Sequence, residues 1–141
     1  MEVTIRQCSA ADSVSLALLG GATFPETFAG ILEGSVIVAH CARHYSVEAY
    51  QAFFEIGATA WLAELAPGDS PVAYALVAIP DLPGATPADL ELKRIYALSR
   101  FHGAGVGARL MAASIQFART EGAQRLLLGV LKGNAKAISF Y

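Results

Sequence analysis

A glycine-rich stretch, residues 100–111, constrains this chain more than any other part of its sequence. It reads RFHGAGVGARLM, with glycine at 103, 105 and 107, and then continues into an apolar pattern typical of a helix. Glycine carries no side chain to block the backbone N–H groups, and a helix start carries roughly half a positive charge. The stretch therefore predicts a phosphate-binding loop at the start of a helix.

Three architectures use glycine in this way, and two of them fit poorly. A Walker A loop ends in Gly-Lys-Ser/Thr, because the lysine neutralises the terminal phosphates and the hydroxyl binds magnesium. Here Gly107 is followed by Ala108 and Arg109. The dinucleotide fingerprint G-x-G-x-x-A matches residues 103–108, but it also needs an acidic residue about 20 positions further on. After Glu121 the chain contains no Asp or Glu.

The third architecture is the pyrophosphate loop of the GNAT superfamily (Gcn5-related N-acetyltransferases), which this sequence resembles at two motifs. The family pattern Gln/Arg-x-x-Gly-x-Gly/Ala falls on His102, Gly105 and Gly107, with histidine in place of Gln or Arg. The later GVLKGNAKAISFY resembles the family's V-x-x-x-N-x-x-A-x-x-F-Y, with Asn134 and Tyr141 in register. The early ATFPETF and HYSVEAY are more loosely similar to the branch that contains polyamine acetyltransferases of the PaiA type.

The resemblance implies acetyl-CoA as cosubstrate, no metal, and backbone polarisation of the thioester at residues 95–97, with Ala97 nearest the carbonyl. The residues that it implies for acetyl-CoA binding are Ile95, Tyr96, Ala97, His102, Gly103, Ala104, Gly105, Val106, Gly107, Ala108 and Asn134. Since histidine titrates near neutral pH, its charge at position 102 would vary there. Asn134 also fits a plain helix cap.

Amine acetylation needs a base for the ammonium proton and an acid for the departing thiolate. The resemblance implies Glu91 as the base, and a solvated charge at the strand end is the alternative. It implies Tyr141 as the acid, and a core aromatic is the alternative. Phe24, Phe28 and Tyr45 are expected to line the acceptor side, although core packing also accounts for each of them.

The function predicted in this way is transfer of an acetyl group from acetyl-CoA to a primary amine, such as a polyamine or another small amine. Two alternatives stay open: a catalytically weak acyl-CoA-binding or regulatory domain, and an acetyltransferase acting on a protein N-terminus or lysine. The expected partner is thus a small-molecule amine.

The hydrophobic pattern predicts one α/β domain over residues 1–141, and the resemblance implies that it has a GNAT fold, a mixed, mainly antiparallel sheet flanked by helices. Strands are expected at 2–7, 59–65, 71–79, 90–98 and 125–131. Helices are expected at 9–21, 47–57, 106–121 and 135–141, capped at Ser9, Ser46 and Asn134, with Gly20-Gly21 ending the first. Residues 22–46 fit either a helix or a short buried segment. The family continues past the position of Tyr141 through two more strands, so we expect a C-terminally truncated fold whose bare strand edge at 125–131 favours a homodimer.

Composition excludes several partners. Net charge is −2, so nothing indicates nucleic-acid binding. No window of about 18 apolar residues lacks a charge, which argues against a membrane span. Cys8 and Cys41 form no pattern and fit free thiols in the cytoplasm. His40 and His44 have a spacing compatible with metal, but no third ligand accompanies them in the sequence.

Overall fold

A single six-stranded sheet organises the chain in the computed structural model, which describes residues 2–129 and 135–140. Neighbouring strands follow chain order, and every pair is antiparallel except β4 and β5, which are parallel. The predicted mixed, mainly antiparallel sheet is therefore confirmed. The strands are β1 (Val3–Gln7), β2 (Thr59–Leu65), β3 (Ser70–Ala78), β4 (Asp89–Ala97), β5 (Arg125–Gly129) and β6 (Ala135–Ser139).

Helices cover both faces of this sheet and enclose two separate hydrophobic clusters. On one face lie α1 (Ser13–Phe28), α2 (Gly34–His44) and α3 (Val47–Glu55), and on the other lies α4 (Val106–Thr120). Parallel neighbours need a crossover connection, and α4 supplies it between β4 and β5. In the part of the chain that the structure describes, no helix is long and apolar enough to cross a bilayer.

Helix α1 runs straight through Gly20-Gly21, so the predicted end of the helix at these glycines is wrong. Gly20 is needed for close packing, because a Cβ there would lie 2.5 Å from Tyr45 Cδ1 and 2.6 Å from the Tyr50 hydroxyl. The ambiguous region 22–46 forms the rest of α1 and all of α2. The predicted cap of α3 is confirmed, since the Ser46 hydroxyl accepts a hydrogen bond from Ala49 N at 3.1 Å.

The last element also differs from the sequence prediction, because residues 135–139 form a strand and not a helix. Strand β6 pairs antiparallel with β5, from Arg125 opposite Ser139 to Gly129 opposite Ala135. This pairing gives hydrogen-bond partners to the backbone of β5, which a helix at 135–141 would have left bare on that side. The edge of β5 is consequently covered within the chain.

Strand β4, an inner strand of the sheet, contains a bulge. Val77 pairs with Leu92 and Leu76 with Arg94, so Lys93 is an extra residue on β4. Bulges bend a strand and increase its twist. The parallel pairing of β4 with β5 ends at Leu92 opposite Leu128, and the rest of β4 has no strand beside it on that edge among the described residues. A cleft therefore opens between the two strands.

The parallel pair is held at its closed end by an ion pair. Asp89 and Arg125 are register partners, with Arg125 Nη2 at 2.7 Å from Oδ2 and Nε at 3.1 Å from Oδ1. The Asp89 side chain is 1% exposed. The hydrogen bonds from Arg125 lower the pKa of Asp89 from its ordinary value of 3.8 to about 2.

We expect Asp89→Asn to lower the free energy of unfolding at pH 7, because Arg125 would lose its carboxylate partner. A depressed carboxyl pKa stabilises the fold above the ordinary pKa, and this contribution fades as pH falls from about 4 to about 2. Urea unfolding at pH 7 and pH 3 should therefore show a smaller difference between variant and wild type at pH 3. Asp69→Asn, in the exposed β2–β3 turn, is the control, and a difference independent of pH would contradict the assignment.

Candidate active site

The glycine loop lies between β4 and α4, as its sequence predicts. Gly103 and Gly105 adopt φ values of +81° and +80°, a left-handed conformation that other residues rarely tolerate. Gly107 has no such requirement, and a Cβ there would meet no protein atom within 4 Å. Neither the fold nor the packing demands glycine at 107, so its missing side chain leaves space for a ligand.

Several N–H groups of this loop are free to bind an anion. Within the described residues, the backbone N–H groups of five loop and helix-start residues donate no hydrogen bond: Gly103, Gly105, Val106, Gly107 and Ala108. Ala104 N donates to Phe101 O at 3.3 Å. The buried Val106 side chain anchors this cluster of donors in the core. Such a group at a helix start fits a phosphate, since the helix dipole adds to the hydrogen bonds.

His102 connects the loop to the end of β4. Its Nε2 lies 2.9 Å from Ala97 O, and because a carbonyl only accepts, Nε2 is the donor. In the neutral ring Nδ1 then carries no proton, so His102 can donate to a phosphate only as the imidazolium. The loop and the carbonyl-polarising segment predicted at Ile95, Tyr96 and Ala97 are thereby adjacent.

The cleft between β4 and β5 has a volume of about 480 Å³ and brings several predicted residues together. Phe24, Phe28 and Tyr45, predicted on the acceptor side, all line it. The full lining consists of Phe24, Thr27, Phe28, His40, Tyr45, Leu92, Lys93, Arg94, Ile95, Tyr96, Leu128 and Gly129.

Aromatic rings form the helical wall of this cleft. The Phe24 ring lies 4.5 Å from that of Phe28 and stacks on His40 at 4.3 Å, at an interplanar angle of 13°. Burial, reinforced by the charges of His44 and Arg94, lowers the pKa of His40 below 6.5. The imidazole is consequently neutral at neutral pH. Among the described residues no cluster of three or more His, Cys, Asp or Glu side chains that could hold a metal is present.

Glu91 lies beside the cleft at the point where the strands separate. Its carboxylate is 6% exposed, and Oε1 accepts from Lys93 Nζ at 2.8 Å and from Asp81 N at 3.2 Å. Oε2 is 3.7 Å from the place that a Cβ on Gly129 would occupy. Glu91 is therefore not the solvated strand-end charge that the sequence left open.

Two predicted residues, Asn134 and Tyr141, lie outside the described residues. The helix that was expected to carry them is replaced at 135–139 by β6, as described above. Their assignment to the pantetheine arm and to the leaving thiolate stays a prediction.

Sequence reasoning missed three residues of this region. Glu26 on α1 accepts hydrogen bonds from Ser99 N at 3.1 Å and Ser99 Oγ at 2.6 Å, which ties α1 to the segment before the loop. Lys93 and Arg94 line the cleft. Their signal was present in LELKRIYAL, where the apolar positions Leu90 and Leu92 are followed by Ile95 and Ala97. The apolar residues change there from even to odd positions in the sequence, and this change marks the bulge.

A group of N–H donors at a helix start, beside two parallel strands that separate, is an arrangement suited to a phosphate-bearing ligand. The model of the Acetyltransferase (GNAT) family matches residues 28–141. The chain belongs to this family. Acetyl-CoA is the cosubstrate of this family, and membership of the family confirms the cosubstrate predicted from the sequence.

Solved structures share the fold. The PaiA N-acetyltransferase of Thermoplasma acidophilum, solved in complex with coenzyme A, is 17% identical with a TM-score of 0.78, over 95% of this chain and 83% of that one. A GNAT family acetyltransferase of Brucella melitensis, in complex with acetyl-CoA, is 17% identical with a TM-score of 0.72, over 99% and 89%. A GCN5-related N-acetyltransferase of Rhodopseudomonas palustris is 18% identical with a TM-score of 0.70, over 94% and 76%. The comparison with curated proteins gave no match.

Proposed function

We propose that this protein transfers the acetyl group of acetyl-CoA to a primary amine on a small molecule. The observation that carries the proposal lies within the described residues: N–H groups at the start of α4 that donate no hydrogen bond stand next to the cleft and to an edge of β4 that pairs with no strand beyond Leu92. In the reaction the amine nitrogen attacks the thioester carbonyl carbon and the C–S bond breaks. The amine gives up one proton, and the CoA thiolate takes one up.

The loop from Gly103 to Ala108 would hold the pyrophosphate, with the rest of CoA running along the unpaired edge of β4. The backbone of Ile95 to Ala97 would then polarise the thioester carbonyl, because among the described residues no strand pairs with that edge of β4 beyond Leu92. Polarisation of this kind stabilises the oxyanion of the tetrahedral intermediate. The hydrogen bond from His102 to Ala97 O supports this placement, since it keeps the loop against the end of the strand.

Glu91 would remove the amine proton, directly or through a water molecule at Gly129. The closeness of Oε2 to Gly129, a residue that lines the cleft, supports this role, and the bond of Oε1 to Lys93 fixes the orientation of the carboxylate. Tyr141 would protonate the thiolate. Asn134 would contact the pantetheine arm.

Location and assembly form a separate part of the proposal. The free thiols of Cys8 and Cys41 fit a cytoplasmic protein. The homodimer was predicted to form at the edge of β5, but β6 covers that edge. The dimer contact would then involve β6, because an exposed strand edge pairs readily with a second copy. Light scattering measures the oligomeric state.

A screen of amine acceptors with acetyl-CoA tests the proposed activity, with release of free thiol as the readout. Small amines, polyamines, amino acids and a lysine peptide form the panel, and a blank without acceptor measures thioester hydrolysis. Turnover above the blank on a small amine supports the proposal. Tight acetyl-CoA binding without turnover on any acceptor would instead identify a binding or regulatory domain, and turnover on the peptide alone would identify a protein acetyltransferase.

We expect Glu91→Gln to lower the rate at pH 7 by about 100-fold, the scale of a lost general base. The deficit should shrink at pH 9.5, because more of the amine is already unprotonated there. Steady-state rates across this pH range test the prediction. Asp81→Asn is the matched control, since it also removes a carboxylate 2.8 Å from Lys93 Nζ, but Asp81 does not line the cleft. Equal pH profiles for both variants would remove Glu91 from the mechanism.

A further inference from the structure

The charged side chains that line the cleft are both cationic, and they differ in how they are balanced. Lys93 Nζ lies 2.8 Å from a carboxylate oxygen of Glu91 and 2.8 Å from one of Asp81. Arg94 forms no ion pair with any carboxylate in the described part of the chain. Its guanidinium donates from Nη1 to His44 O at 3.0 Å and also contacts the hydroxyl of Tyr50, a neutral partner. Lys93 is thus paired with two carboxylates, whereas the guanidinium of Arg94 is paired with none among the described residues.

The bulge in β4 determines which face of the sheet Arg94 lies on. The extra residue, Lys93, shifts the alternation of side chains along β4 by one position. Leu92 and Ile95 therefore both face α4, and Arg94 faces the other side of the sheet. There the guanidinium lies 4.4 Å from the Tyr45 ring centroid, 5.0 Å from that of Tyr50 and 5.1 Å from that of Phe53. Aromatic faces stabilise and orient a cation, but they leave the in-plane N–H donors of the fork free.

In the described part of the chain, the side chains that contact the guanidinium of Arg94 carry no negative charge. Burial raises the pKa of Tyr45 and of Tyr50, so both phenols stay neutral. His40 is neutral at neutral pH for the reason given above. Buried charges in proteins are normally paired, because an unpaired one is costly to desolvate. An anion that enters the cleft would meet a fork of donors already in place.

We infer that the acetyl acceptor carries a carboxylate as well as its primary amine, and that Arg94 binds this carboxylate. The inference rests on the proposed function and names its substrate class. A carboxylate matches the planar fork of arginine in a two-point hydrogen-bonded pair. The positive charge also favours the neutral form of the amine, which is the nucleophile. A polyamine, which was expected from the sequence, would bring further positive charge against Arg94.

A matched substrate series tests the inference on the wild-type protein. The compounds 4-aminobutyrate, butylamine and putrescine each contain four carbon atoms and a primary amine at one end. They differ at the other end, which is a carboxylate, a methyl group and an ammonium, respectively. Each common amino acid is compared with its carboxamide in the same way, with rates expressed per unprotonated amine. We expect kcat/KM to be about 10- to 100-fold higher for the best carboxylate-bearing acceptor than for its matched neutral amine, the scale of a charge-assisted pair.

Variants then assign the preference to Arg94. Arg94→Gln should bring the ratio between acid and amide close to one, mainly through KM, and Arg94→Lys should keep part of it. Affinity for CoA should stay unchanged in both. Arg43→Gln, an exposed arginine on the neighbouring helix that does not line the cleft, should keep the full ratio.

The outcomes separate the two proposals. If kcat/KM for putrescine or for the amides equals or exceeds that for the acids, the inference is overturned and the acetyltransferase proposal stands. A full acid preference in Arg94→Gln also overturns it. No turnover on any compound contradicts the proposed function itself. If Arg94→Gln fails to fold, the wild-type series and Arg94→Lys decide the question.

Discussion

Replacing Gly107 by valine is expected to weaken CoA binding strongly in a protein that folds normally. The new side chain would stand among the free N–H groups at the start of α4 and hold the pyrophosphate away from them. Each charge-assisted hydrogen bond that is prevented lowers the affinity by about 10- to 100-fold. Isothermal titration calorimetry measures the affinity, and thermal unfolding checks the fold.

The fold should tolerate this change because Gly107 has no positive φ and no protein atom lies within 4 Å of a Cβ there. Gly105→Val is a poorer test, since φ at Gly105 is +80° and the variant would strain the loop itself. Gly34→Val is the matched control: Gly34 also stands in the first turn of a helix, with open space around it. Unchanged CoA affinity in folded Gly107→Val would show that the loop does not hold the pyrophosphate.

The second large effect is expected in Gly20→Ala, which should destabilise the protein although alanine is the better helix former. The new methyl group would overlap Tyr45 Cδ1 at 2.5 Å and the Tyr50 hydroxyl at 2.6 Å. Overpacking of this kind costs about 1–3 kcal/mol. Because Tyr45 lines the cleft, we also expect a raised KM for the acceptor, while affinity for CoA changes little.

The next residue in the same helix provides the control. A Cβ on Gly21 meets nothing within 4 Å, so Gly21→Ala should stabilise the protein by about 0.5–1 kcal/mol through reduced chain entropy. Chemical denaturation of both variants measures the two effects. The opposite signs are the test, and stabilisation in both would show that the contact of α1 with Tyr45 and Tyr50 is loose.

Local sequence determined the first five strands, the glycine loop and the helix that follows it. Alternation, glycine placement and capping act over a few residues, so β2, β3, α3 and α4 lie close to their predicted bounds. The loop glycines owe their φ values to a turn that their own sequence specifies. Most of the predicted acceptor and thioester residues also lie together, because the resemblance to GNAT proteins carried a whole fold with it.

Tertiary structure decided what contacts distant in sequence control. Gly20 resembles a helix end until Tyr45 and Tyr50 pack against it, and residues 135–139 resemble a helix until β5 offers its backbone as a partner. The charge of the cleft was decided in the same way. Arg94 lines the cleft because a bulge at Lys93 reverses the strand, and in the described part of the chain Glu91 and Asp81 both bind Lys93 and not Arg94. The sequence contains each of these residues, but only packing across the sheet sets which cation each carboxylate binds.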